Sequence, residues 1–116
     1  MAITPDDLLR TADELAQGDR ESDWRNATSR AYYAAYHACI PFAFGSESAE
    51  PGHREIADTL TRPAAAMQSR SVGYLLAQCR ALRERADYRI SADFLRGDVN
   101  TALRASISIF DIVQAV

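Results

Sequence analysis

With 116 residues, 47% of them hydrophobic and 25% charged, the chain has the size and composition of one globular domain, residues 1–116, whose core needs no disulfide or metal staple. A formal charge of -3 and a pI near 5.3 exclude bulk, non-specific coating of nucleic acid, while leaving room for a local basic site. All 13 basic residues are arginine, each a permanently charged fork suited to carboxylate or phosphate.

The opening "MAITPDDLLR" lacks the basic flank and apolar run of a signal peptide, and no stretch is apolar for long enough to span a bilayer. Cys39 and Cys79 form no CxxC pair and read as reduced, buried thiols, so a cytoplasmic location without membrane contact is expected. The first predicted helix is "TPDDLLRTADELAQG". Thr4 can cap it, Pro5 suits its first position, and Asp6 and Asp7 complement the helix dipole. Leu8, Leu9, Ala12 and Leu15 make its apolar face, and Gly18 stops it.

A second helix is predicted from Ser22 or Asp23 to about residue 40, with Pro41 kinking or ending it. Its apolar and small residues lie almost all round, so it is central in a bundle or buried at an interface. The loop "GSESAEPG" follows, then a short helix "HREIADTLT" closed by Pro63. A long helix over "AAAMQSRSVGYLLAQCRALRERADY" places Tyr74, Leu75, Cys79, Leu82 and Ala86 on related faces. Gly97 breaks the pattern, and Asp98 can cap a last helix, "VNTALRASISIFDIVQAV", in which Leu103, Ile107, Phe110 and Val113 keep the helical period. With no hairpin, repeat or low-complexity tract, the fold class is all-α: an antiparallel bundle of four main helices plus a short one.

Within the second helix Arg30 and His37 stand seven residues apart. Seven residues return to within about 20° of the starting direction and climb roughly 10.5 Å, so the two share a stripe with Tyr33. Arg30 leans towards the helix start and away from His37. A two-fold axis would bring Arg30 of one copy towards His37 of the other, with Ala31, Ala34 and Ala38 permitting close approach. Such a seam suits metal-free cleavage of RNA. One histidine takes the 2′-hydroxyl proton, its symmetry mate protonates the leaving oxygen, and arginine stabilises the phosphate charge. The plainer alternative is an arginine paired with an acid and a histidine satisfied in the core.

"SRAYYAAYHA" resembles the signature helix of HEPN (higher eukaryotes and prokaryotes nucleotide-binding) domains, an arginine followed after four to six residues by a histidine. "ALRERADYRI", residues 81–90, is similar to that family's arginine-rich stretch ending in Ala-Asp-Tyr, and the order of helices fits along essentially the whole chain. The resemblance implies a compact four- to five-helix bundle that dimerises through residues 22–42. It also implies a metal-independent endoribonuclease, the toxin beside a minimal nucleotidyltransferase antitoxin, with Arg30 and His37 as the catalytic pair. Ala31 follows the arginine where active members often carry a polar residue, and Cys39 stands where some toxins offer a tyrosine for adenylylation. A catalytically inactive module that binds a nucleotide or a nucleotidyltransferase partner is therefore the alternative.

Arg80, Arg83, Arg85 and Arg89, extended by Arg96, form a basic cluster that either holds phosphates beside the seam or pairs locally with Glu84 and Asp87. Tyr33, Arg80, Arg83, Asp87 and Tyr88 are the candidate substrate- or phosphate-binding residues. Asp87 is expected to hold Arg30 or cap a helix, and Tyr88 to pack with its hydroxyl satisfied. His53 reads as a surface histidine. With two histidines in the chain no metal site is expected, Ser29 and Cys39 lack a nucleophile-base arrangement, and no glycine-rich loop calls for a cofactor.

Overall fold

The computed structural model describes residues 2–115; Met1 and Val116, the two ends of the expected domain, lie outside the described residues. The architecture is all-helical, with no strand among the described residues. Helix α1 (Pro5–Ala16) starts as the sequence predicts. The Asp7 amide donates to Thr4 Oγ1 at 3.2 Å, and the Thr4 amide donates to the Asp7 carboxylate at 2.8 Å. This reciprocal pair satisfies two of the amides a helix start leaves free. The backbone and side-chain bonds from Thr4 hold the Asp7 carboxyl below its ordinary pKa.

Helix α2 (Glu21–Phe44) runs past Pro41, which neither ends it nor stops its last turn. Pro41 lies on the exposed face near the helix end, where water can reach the His37 carbonyl that a proline leaves without a donor. Gly45 closes the helix in the left-handed region (φ 70°), its amide donating to the Pro41 carbonyl at 2.8 Å.

Helix α3 (His53–Leu60) is followed by α4 (Met67–Tyr88), which begins three residues later than the apolar run suggests because Ala65 turns back onto the Arg62 carbonyl at 2.9 Å. Helix α5 (Arg96–Gln114) begins three residues earlier than expected, and Asp98 is not its N-cap. Asp98 instead sits in the first turn and accepts from the Leu95 amide at 2.9 Å. None of these helices is long and apolar enough to cross a membrane.

α2 is the axis on which the others pack. Ala27, Ala31, Ala34 and Ala35 are fully buried, and with no side chain beyond Cβ they let neighbouring helices approach closely. Ala27 and Ala31 meet Ala12, Ala86, Phe94, Val99 and Ala102; Ala34 and Ala38 meet Leu8, Leu9 and Phe110. At the other end of α2, Tyr32, Ala35, Cys39 and Ile40 pack with Ile56, Leu60, Val72, Leu76 and Ile109. Buried hydroxyls are satisfied: Thr28 donates to the Trp24 carbonyl and Ser106 to the Ala31 carbonyl, each at 2.9 Å. Two positions assigned to apolar faces are corrected. Tyr74 (65% exposed) and Ile107 (44% exposed) stand outside, because Gly73, Leu76 and Cys79 turn the α4 contact away from Tyr74, and Ser106, Ile109 and Phe110 do the same for Ile107 in α5.

Gly73 is the contact point of α4 with the end of α3. A Cβ there would lie 2.4 Å from Thr61 Cγ2 and 3.1 Å from Leu60 Cβ, and Thr61 is held in place by its 2.7 Å bond to the Ala57 carbonyl. Gly73→Ala is expected to lower stability by about 1 kcal/mol, the cost of overpacking exceeding the gain in helix propensity. Gly97→Ala, which meets nothing within 4 Å, is expected to raise stability by about 0.5 kcal/mol. Urea midpoints of the two variants moving in the same direction would contradict this packing.

Candidate functional site

Because α1, α4 and α5 cover much of α2, one line of residues along its middle stays open to solvent. Asn26, His37 and Pro41 are exposed on it, and Arg30 and Tyr33 half-buried. Arg30 and His37 thus share a stripe, as their spacing predicts, and the Arg30 guanidinium lies over the Tyr33 ring, 5.4 Å from its centroid. The His37 ring stands edge-on to Tyr36 at 5.1 Å and borders a cleft of about 500 Å³ between the start of α1 and the end of α5.

One premise of the two-fold seam is corrected. Ala31, Ala34 and Ala38 do not face a second copy; they are buried inside the chain against α1 and α5. Position 31 therefore points away from the stripe, and a polar residue there would enter the core rather than the site. Cys39 is likewise fully buried. Burial, then the nearby Cys79, pushes its thiol up to about 12, and burial does the same for Cys79. Both thiols are inert packing groups.

The basic cluster divides. Arg85 reaches Asp98 at 3.4 Å and Arg96 reaches Asp19 at 3.5 Å, on the far side of α4 from the stripe. Arg83 turns inward instead. It is 6% exposed, with its guanidinium carbon 5.4 Å from the Tyr32 ring and 5.6 Å from those of Tyr33 and Tyr88. Asp87 serves Arg83, not Arg30: its Oδ2 lies 3.6 Å from Arg83 Nη1 and accepts from Ser29 Oγ at 3.3 Å. Tyr88 is 74% exposed, lying over the guanidinium rather than in the core. Arg80 lies 3.3 Å from Glu84. Of the predicted binding residues, Tyr33, Arg83, Asp87 and Tyr88 form one assembly, with Tyr33 linking it to Arg30; Arg80 stands one turn away, towards α3.

His53 is not a free surface histidine. The loop after α2 folds it back so that the Tyr32 hydroxyl meets its Nδ1, and its ring centroid lies 5.2 Å from Tyr36, 5.5 Å from Tyr32 and 6.3 Å from Tyr33. The Tyr36 hydroxyl donates to the Pro51 carbonyl and fixes that loop. No local period joins His53 to the tyrosines, 17 to 21 residues upstream; only the turn of the chain at Gly45 does. Arg25 was also missed. Its guanidinium donates to the Arg85, Ala86, Arg89 and Ala92 carbonyls, closing the end of α4 and fixing Asp87 and Tyr88 beside the start of α2. Among the described residues no three His, Cys, Asp or Glu side chains converge as a metal site would require.

Compared with protein-family models, curated proteins and solved structures, the chain matches none. The reading of the site therefore rests on its own geometry and on the motifs quoted above.

Burial, then the charges of Arg80 and Arg83, holds the His53 pKa below its ordinary 6.5, with Glu84 opposing. Folding thus favours the neutral ring. Its contribution to stability is complete above about pH 6.5 and is lost as pH falls through the depressed folded-state value. Between about pH 7.5 and 5 the urea midpoint of the wild type is expected to fall more steeply than that of His53→Gln. Parallel curves would exclude a neutral, half-buried His53.

Proposed function

We propose that the chain is a metal-independent endoribonuclease of the HEPN kind, an antiparallel helical bundle that acts as a homodimer through the open stripe of α2. The observation that carries the reading is that the solvent-facing line along the middle of α2 presents Arg30, Tyr33 and His37 together. His37 exchanges the proton between the 2′-hydroxyl and the leaving oxygen. Arg30 meets the phosphate as charge develops on it. Arg83 and Asp87 hold Tyr33 and Tyr88 in place beside it, and Arg80 adds charge at the flank. One chain supplies one histidine to the stripe, so the acid and the base require two copies. In the cell this activity fits a cytoplasmic toxin held by a nucleotidyltransferase antitoxin.

A second reading has its own observation. With Ala34 and Ala38 taken up inside the chain, the stripe offers bulky polar side chains to a neighbour, which suits a ligand or a different protein better than a close helix pair. The domain would then be a catalytically inactive HEPN module binding a nucleotide or a nucleotidyltransferase partner.

In EDTA, wild-type protein is expected to cleave single-stranded RNA, with His37→Ala and Arg30→Ala each slower by at least about 100-fold. Equal cleavage by all three would refute the assignment. An inactive wild type that binds nucleotide would establish the second reading.

A further inference from the structure

A groove of about 340 Å³ runs between α3 and α4, lined by Tyr32, His53, Ala57, Leu76, Arg80 and Glu84. It lies at the small end of the range for small-molecule sites, about 300–1,000 Å³. Three features of it bear on what it could hold. First, Tyr32 orients His53. Burial, outweighing the fields of Arg80 and Arg83, keeps the tyrosine pKa above its ordinary value, so the hydroxyl stays protonated and is able to donate to Nδ1. The neutral ring then carries its proton on Nε2, which becomes a donor. Second, Arg80 Nε is buried and makes no hydrogen bond; Glu84 lies 3.3 Å away, close enough for charge pairing only. Third, the Arg83 side chain is more than nine-tenths buried (8% exposed) behind Tyr32, its Nε has no partner, and Asp87 stands at a loose 3.6 Å. A charge so buried is little screened by salt, and it lies directly behind the Tyr32 ring.

We propose that this groove binds a phosphate monoester, with the Arg80 guanidinium and His53 Nε2–H as its donors and the buried Arg83 supplying field from behind. Glu84, whose side chain is half exposed, swings into solvent when the phosphate takes its place on Arg80. Tyr32 is the positioning residue: it presents His53 with the donating nitrogen free. A dianionic phosphate accepts both donors at once and brings more negative charge to them than a carboxylate or a neutral sugar. The occupant is the terminal phosphate of a mononucleotide or of an RNA end. The proposal does not depend on cleavage at the α2 stripe, and its readout is binding.

The test is an NMR and calorimetric titration of the full chain with inorganic phosphate, adenosine monophosphate, 5′-phosphorylated RNA and, as a control, adenosine. The phosphate-bearing probes are expected to shift the amide signals of residues 53, 57, 77, 80 and 81, and adenosine to leave them in place. Arg80→Gln is expected to weaken binding by about tenfold, the effect of one charge-assisted hydrogen bond. Arg104→Gln, which removes the same charge from the exposed face of α5, is expected to change it by less than about twofold. Ala77→Glu, an exposed substitution on the groove wall that leaves the core intact, is expected to abolish binding by placing a carboxylate in the phosphate's path. Mononucleotide and RNA arms of unequal affinity would identify the occupant. No shift in the groove at about 10 mM phosphate, or equal weakening by Arg80→Gln and Arg104→Gln, would overturn the proposal.

Discussion

The alanines of α2 are the constraint on which the rest of the structure depends. A helix surrounded by three others has room only for side chains that end at Cβ, and Ala27, Ala31, Ala34 and Ala35 are each fully buried. Larger residues at these places would push α1, α4 or α5 outward, and the cost would be felt around the whole axis. Because three neighbours occupy those faces, bulky polar side chains in the middle of α2 are turned outward. The candidate site is thus a remainder of the packing: Arg30, Tyr33 and His37 reach solvent where no helix covers α2.

A second constraint is electrostatic. Arg83 carries its charge into the boundary between α2 and α4, among three tyrosine rings and beside a carboxylate shared with Ser29. Aromatic faces offset part of the desolvation that such a charge meets, and a carboxylate in reach offsets more. Yet Nε remains without a partner. Core polar groups in this fold are otherwise satisfied, as Thr28 and Ser106 show. The exceptions, Arg83 Nε and Arg80 Nε, fall beside His53, where the surface is concave.

The register between α2 and α4 depends on Arg25. By collecting the last carbonyls of α4, it ties the end of that helix to the start of α2 and so sets Asp87 opposite Ser29. Trp24 does similar work at the α1–α2 turn, where its indole N–H donates to the Gly18 carbonyl at 2.8 Å and Arg96 lies over its ring. Neither residue belongs to the site, but each fixes the angle at which a site residue is presented.

The sequence by itself determined the elements that depend on neighbours three or four residues away. The Thr4–Asp7 cap, the shared stripe of Arg30 and His37, and the loop before α3 follow from local spacing and local chemistry. It also determined that α2 is central, since a helix small and apolar on most sides has nowhere else to go. The tertiary structure alone decided which face of each alanine was taken, and so removed Ala34 and Ala38 from the seam expected of them. It alone turned Arg83 inward while Arg85, two residues on, went to the opposite side to meet Asp98. It alone brought His53 to Tyr32, because the contact is made by a change of chain direction at Gly45 and by the Tyr36 bond to Pro51, and no periodicity within one helix encodes where a loop returns.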